Sequence, residues 1–449
     1  MKKFQNPKGT RDILYEEAAI RRTVIDRLRR IFLQFGFCDF DSPSFELLET
    51  LERKAGPNVE NQIYSFDDKG GRKLGLIFEF TASLGRCVAS RADVLYPFKR
   101  YQIGKVWRYE RPQSNRYREF YQADIDIIGP YTMDCEMEIF SLIAYVLRDF
   151  GLNDFTFLLN NRKILKAQLQ LSEITDENSQ STVLRGIDKV DKISQDQVKQ
   201  YILSQGISSD QYNRFLSLMP STNKSKEETF AELEFRLSNS KLGCEGIKEL
   251  RQILSLASKC GLTEHIQIAP FLVRGLDYYT GPIFEVRSSA LNDVSFGGGG
   301  RYDKMVELFG GESSGAIGFA FGVERLISIL SDQKLVSANK CTAQLMIGIQ
   351  NSDGIAFAFN LANELRALGI SVFQYIGTVN LRKQLSFASK MGIPFVIIIG
   401  EDEMKSEIYR LKNMSSGKNT DVSRSEISNQ LKEELQRDVS LSPKYSYEA

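Results

Sequence analysis

Histidine is almost missing from this sequence: 449 residues contain one, His265. A Ser-His-Asp arrangement or a histidine general base would have to rest on that single side chain. Its setting, GLTEHIQIAP, lies between a turn and an apolar stretch, which suits a structural or surface residue. Chemistry in this chain therefore falls to positioning and fixed charge. Cysteine is sparse too. Six are scattered (Cys38, Cys87, Cys135, Cys244, Cys260 and Cys341) with no C-x-x-C pair, which argues against a zinc site or a disulfide framework and suits a reducing compartment. No apolar run approaches a membrane span, and Met1 to Pro7 is too polar for a signal peptide, so a cytoplasmic protein is expected. No phosphate-loop spacing G-x-x-x-x-G-K-[ST] occurs. Neither charge sign dominates: Lys+Arg 58 against Asp+Glu 57 leaves +1, so any nucleic-acid surface must be a local patch.

With 42% hydrophobic and 26% charged residues, the chain is an ordinary globular protein long enough for two or three domains. Apolar residues at helical spacing predict a helix over 18–35, ended by Gly36, and another over 134–150. A hairpin is expected over 61–81, its second strand running Leu74 to Thr81, which would put Glu79 and Thr81 on one face. A carboxylate and a hydroxyl so placed can receive an ammonium group. Residues from about 160 to 260 are helical in pattern and rich in Ser, Gln, Lys and Asp, and read as an inserted helical subdomain. Strand texture returns from Ala269 to Val286. The run Gly297 to Gly300 then allows close backbone approach, and a small-residue strand Gly315 to Gly322 leads into a helix bearing Glu324 and Arg325. After a loose stretch, strands and amphipathic helices alternate from 343 to 449, which indicates a separate α/β domain.

The most informative stretch is Lys105 to Gly129. It predicts two strands joined by a loop carrying Arg108, Glu110, Arg111, Arg116, Arg118 and Glu119. In the second strand Gln122, Asp124 and Asp126 share one face, and Ala123, Ile125 and Ile127 the other. Hiding the apolar row would leave the polar row on a surface, beside several guanidiniums. Alone, such a hairpin is as readily a solvated loop with surface ion pairs. Arg274, inside the apolar approach Phe271-Leu272-Val273, needs an anionic partner, from the protein or from a ligand.

Five stretches fall in the order seen in one family: Lys8 to Asp12 (KGTRD), Val106 to Asp126 (VWRYERPQ and RYREFYQ-x-D-x-D), Leu272 to Gly281 (LVRGLDYYTG), Gly297 to Asp303 (GGGGRYD) and Ala316 to Leu326 (AIGFAFGVERL). Together they resemble the histidyl-tRNA synthetases, class II aminoacyl-tRNA synthetases, over nearly the whole length. LVRGLDYYTG is the most specific of them. The resemblance implies an α+β catalytic domain of class II type with an antiparallel sheet (1–160 and 261–331), a helical insertion (161–260), a linker (332–342) and a C-terminal α/β anticodon-binding domain (343–449).

It also implies the substrates L-histidine, ATP and tRNA(His), with Mg2+ accompanying ATP, and a homodimer formed through the first helix and the Pro43 region. By the same resemblance Arg108 meets the α-phosphate and the amino-acid carboxylate, and Glu110 faces adenine. Arg116 and Arg325 hold phosphates and adenine, and Arg274 stabilises the reacting α-phosphate. Glu79, Thr81 and Gln122 receive the α-amino end of histidine, and Asp126, Tyr278 and Tyr279 surround its imidazole. Gln122 and Asp126 are about 13 Å apart along a strand, so each would reach toward an opposite end of one ligand. Three positions depart from the family pattern: Ile77 replaces a usual arginine, Asn115 a usual glycine and Tyr15 a usual proline. The rival that this resemblance leaves is a non-catalytic paralogue, such as a histidine-binding regulatory subunit of ATP-phosphoribosyltransferase.

Overall fold

The computed structural model describes residues 4–53, 60–112, 116–188, 194–221, 224–273, 278–288, 294–377 and 380–439. Two compact units form, one from 1–12 with 23–336 and the other from 13–22 with 337–449. The first is built on an eight-stranded sheet. Its strands run in the order Cys38–Asp39, Phe98–Trp107, Glu119–Gly129, Gly315–Gly322, Val294–Arg301, Pro282–Ser288, Thr156–Asn161 and Ile266–Ile268. The inner pairings are antiparallel, and only the outermost pair at each edge is parallel. This is the antiparallel α+β sheet expected from the sequence.

One face of the sheet is closed by helices. Val24, Leu28, Ile31 and Phe32 of helix Tyr15–Gln34 are fully buried, and so are Ile139, Phe140 and Ile143 of helix Asp134–Asp149. Phe32 lies 5.4 Å from the Tyr101 ring and 6.5 Å from Phe321. Tyr101 pairs with Ile125 and Phe321 with Ala123, so the apolar row of strand Glu119–Gly129 faces the helices. The row Gln122, Asp124 and Asp126 therefore faces the other way. It is not on the open surface, however: their exposures are 8%, 5% and 3%. Both neighbours pair with this strand along its length, which places it inside the sheet, and side chains such as Arg100 and Tyr302 pack on its polar face.

The expected strand Leu74 to Thr81 is shorter in the structure. It ends at Leu76, and Thr81 begins helix Thr81–Ala89. The physical reason is Glu79. Its carboxylate accepts the Thr81 N–H at 3.0 Å and the Ala82 N–H at 2.9 Å, satisfying two of the donors that a helix N-terminus leaves free.

Among the described residues the helical stretch holds six helices, from Arg162–Leu171 to Lys241–Lys259. Its Ser, Gln and Asp content is largely helix-start chemistry, with capping boxes at Ser194/Gln197, Ser208/Gln211 and Ser225/Glu228. Leu165, Val183 and Phe215 share one buried cluster with Leu84, Ile128 and Ile283, so these helices pack into the same core as the sheet.

The second unit holds a five-stranded sheet in the order Val372–Gln374, Leu345–Ile349, Phe395–Ile399, Ile408–Asn413 and Asn419–Ser423. The first three strands are parallel, and the last two form a hairpin. Helices Ile355–Ala367 and Leu381–Met391 carry the connections, as strand-helix alternation requires. Tyr15 has φ 53°, a conformation closed to a proline ring.

At the end of strand Leu345–Ile349 a side chain takes over from the ladder. Gln384, fully buried, accepts the Ile349 N–H at 3.1 Å and donates to the Ile349 carbonyl at 2.7 Å. Gln384→Leu strands both backbone groups in a dry core. It is expected to lower the stability of this unit by about 2 kcal/mol or more, read as lost amide-exchange protection around Ile349.

Candidate active site

The polar face of the first unit's sheet floors a cavity of about 2020 Å3. Arg108 follows the last residue of strand Phe98–Trp107. Its Nε donates to the Phe78 carbonyl at 2.9 Å, and its Nη2 reaches Gln122 Oε1 at 3.4 Å. These bonds fix the guanidinium over the start of the loop that carries Glu79. Burial pulls the Arg108 pKa down, while Glu110, Glu79 and Asp124 pull it back up. The surrounding carboxylates offset part of the cost of burying this guanidinium. Glu110 forms an ion pair with Arg116, which raises the Arg116 pKa, and Arg118 ties the same turn by donating to the Glu110 carbonyl at 2.9 Å.

On the neighbouring strand, Glu324 accepts the Tyr121 N–H at 2.8 Å, which couples helix Val323–Asp332 to the hairpin. The next residue, Arg325, donates to the Ser295 carbonyl at 3.1 Å. Arg108, Glu110, Arg116 and Arg325 all line the cavity. Its wall also holds Glu79, Thr81, Gln122, Tyr278 and Tyr279. The tyrosine rings lie 4.6 Å apart, and Tyr278 meets Tyr302 edge-on at 5.6 Å. Arg274 lies outside the described residues.

Asp126 does not belong to the lining. Its Oδ2 is 2.5 Å from Arg100 Nη2, and its Oδ1 accepts a hydrogen bond from the Tyr302 hydroxyl. Arg100 is fully buried, with its guanidinium 5.5 Å from the Phe40 ring. Gly318 makes room for this cluster: a Cβ there would lie 2.0 Å from Asp126 Oδ1 and 2.9 Å from the Tyr302 hydroxyl. The expectation that Asp126 stands beside a ligand is thus modified, because Arg100 holds it back under the floor. Asp124, one alternation nearer to Gln122, is in the wall instead.

Sequence reasoning did not assign Asp124, Arg100, Tyr302 or Glu324 a place in the site. Asp124 was visible as a member of the polar row. Arg100 became apparent only once strand pairing set it opposite Asp126.

Comparison with known proteins settles the family. The family profile described as Histidyl-tRNA synthetase matches residues 9–326, and one described as Anticodon binding domain matches residues 344–434. A histidine--tRNA ligase of Cytophaga hutchinsonii is 34% identical over 96% of this chain and 100% of its own length. The chain belongs to the histidyl-tRNA synthetase family. A histidine--tRNA ligase of Bacteroides fragilis is likewise 34% identical, over 94% of this chain and 97% of its own. The crystal structure of histidyl-tRNA synthetase from Nostoc sp. PCC 7120 superposes with TM-score 0.80 at 27% identity, over 97% of this chain and 100% of that one.

Within this synthetase fold, the unusual Ile77 is 2% exposed and packs with Leu51, Ile63, Phe78 and Val106. Asn115 lies outside the described residues.

The buried pair under the floor makes a stability prediction. Arg100→Met leaves the Asp126 carboxylate without its counter-charge and should cost about 3–5 kcal/mol in urea unfolding. The double variant Arg100→Met, Asp126→Leu is expected to cost less than the sum of the two single changes.

Proposed function

We infer that this chain is a histidine--tRNA ligase. It joins L-histidine and ATP into histidyl-adenylate, releasing pyrophosphate, and passes the histidyl group to the 3′ end of tRNA(His). The observation that carries this reading is the shared cavity. Arg108, Arg116 and Arg325 line one cavity together with Glu79, Gln122, Tyr278 and Tyr279. Cationic walls suit the triphosphate, and the polar floor suits an amino acid with ring N–H groups.

In the first step a histidine carboxylate oxygen attacks the α-phosphorus, and the bond to the pyrophosphate oxygen breaks. Negative charge gathers on the α-phosphoryl oxygens as this happens. Arg108, fixed by the Phe78 carbonyl and Gln122, stands ready for that charge without having to reorganise. We assign the same task to Arg274 from its place in LVRGLDYYTG. Arg116 and Arg325 hold the outgoing phosphates, and Glu110 faces adenine. Freeing Arg116 for phosphate means parting it from Glu110, which nucleotide binding can do because the pair sits at a half-open rim. In the second step a hydroxyl of the terminal ribose attacks the acyl carbon, and AMP leaves with its phosphate charge already neutralised.

Among the described residues no cluster of three His, Cys, Asp or Glu side chains could cage a metal. The arginine wall fits a nucleotide that brings its own Mg2+, which would screen the phosphates. Glu79, Thr81 and Gln122 are assigned to the α-amino group, and Tyr278 and Tyr279 to the ring. Asp126 acts on the ring side through Tyr302.

No described helix is long and apolar enough to cross a membrane, and we place the enzyme in the cytoplasm. We further propose a homodimer joined through the first helix and the Pro43 region. Leu33, Phe45, Leu47 and Phe66 there are 41–52% exposed, an apolar surface that a second copy would cover. A monomer by light scattering at micromolar concentration would contradict it.

The catalytic reading predicts ATP–pyrophosphate exchange that depends on histidine among the twenty amino acids. Exchange without histidine, or none from folded protein, would favour the regulatory paralogue or another substrate. Arg108→Ala is expected to reduce exchange by roughly 100-fold or more. Arg274→Ala should do the same while histidine still binds, and near-normal exchange by that variant would remove its assigned role.

A further inference from the structure

Of the five stretches shared with the family, KGTRD (8–12) is the one to which the reaction just described gives no task. Its residues are not in the cavity lining. They lie instead against Arg118, on the hairpin that carries Arg108, Glu110 and Arg116.

The segment is shaped by its own sequence. The Thr10 N–H and hydroxyl both donate to the Pro7 carbonyl, at 3.1 and 2.8 Å, and close a four-residue turn. Gly9 holds the third position of that turn with φ 86°, the type II geometry that favours glycine. Asn6 donates to Asp12 at 3.1 Å and fastens the two flanks. Arg118 then uses two carbonyls of the turn: its N–H donates to Gly9 at 2.8 Å and its Nη1 to Lys8 at 3.4 Å. The contact itself also needs glycine. A Cβ there would lie 2.8 and 2.9 Å from Arg118 Cγ and Cδ, and 3.1 Å from Pro112.

Arg118 is the junction between this turn and the nucleotide wall. Its carbonyl accepts the Arg108 N–H at 2.9 Å, and its Nε donates to the Glu110 carbonyl at 2.9 Å. Its guanidinium lies 4.2 Å from the centre of the Tyr109 ring. On the same hairpin Arg11 stacks over Tyr117 at 4.2 Å, a second fastening one residue away. A long side chain loses much rotamer freedom when it is fixed. Lys8 and Gly9 supply an acceptor and a flat surface along the stem that offset this loss.

We propose that the turn over 7–10 is a positioning element for the nucleotide: by fixing Arg118 it sets where Glu110, and with it Arg116, stands toward ATP. This rests on the ATP-using reading above. The histidine end is held by other bonds. Glu79 is tied by the Thr81 and Ala82 N–H groups, and the Arg108 guanidinium by the Phe78 carbonyl and Gln122. Loosening the turn therefore acts on one substrate and spares the other.

The test measures pyrophosphate exchange and calorimetric histidine binding on the full chain. Gly9→Ala drives a methyl group into Arg118 and should raise the KM for ATP by roughly 10-fold or more, with the histidine KM and Kd within about twofold. Thr10→Val keeps the shape of the side chain and loses the hydroxyl bond. It should move the ATP KM in the same direction, and Thr10→Ser should restore it. In an Arg118→Ala background Gly9→Ala should add nothing, because the turn acts through that side chain. A merely structural role would lower the urea midpoint and the active fraction while leaving both KM values unchanged. That outcome overturns the proposal, as do equal losses for ATP and histidine, or full additivity of Gly9→Ala with Arg118→Ala. A wild-type chain without histidine-dependent exchange overturns it together with the reading on which it rests.

Discussion

Charged side chains buried in the middle of a sheet must be paired, and that constraint organises the catalytic unit. Strand Glu119–Gly129 carries Asp124 and Asp126 at 5% and 3% exposure, and strand Phe98–Trp107 brings the fully buried Arg100 opposite Asp126. A carboxylate left alone at such depth would cost several kcal/mol. The pair therefore constrains the register of the two strands, since a slip of one residue would turn both charges into the helix-packed face. Gly318 on the third strand keeps space for the same cluster.

From that register the rest of the site follows. The hairpin end delivers Arg108 to the Phe78 carbonyl and to Gln122, and the loop beneath it is held by Glu79 at a helix start. Glu324 bonds the hairpin backbone and so aligns the helix bearing Arg325. The Glu324 contact joins elements about 200 residues apart, whereas the Glu79 and Gln122 contacts are local to their turn and hairpin. Arginines and carboxylates alternate around the cavity, Arg108 near Glu79, Glu110 and Asp124, and Arg116 paired with Glu110. That mixture fits a reaction in which a phosphate-rich and an amine-rich substrate must meet.

Much of this was legible in the residues. The hairpin, the helix ended by Gly36, the polar row and the alternating C-terminal domain follow from periodicity and turn chemistry. Helix Leu381–Met391 and strand Phe395–Ile399 fall where the pattern places them. Glu79 was harder. Alternation made it part of a strand, whereas a carboxylate near free N–H groups caps a helix instead, and local pattern does not distinguish the two. The polar row was expected at a surface because one strand's alternation says which residues share a face, but not what covers that face.

The sequence by itself determined the family and the arginines and carboxylates available for chemistry, because motifs, periodicity and composition are local properties. Only the tertiary structure decided which carboxylate reaches the cavity. Asp124 and Asp126 are the same residue type on the same face, two positions apart. Their difference comes from Arg100 and Tyr302, which arrive from strands and turns far away in the chain. A side chain's partner is set by the pairing of distant strands, and that pairing is fixed by the burial of the whole core.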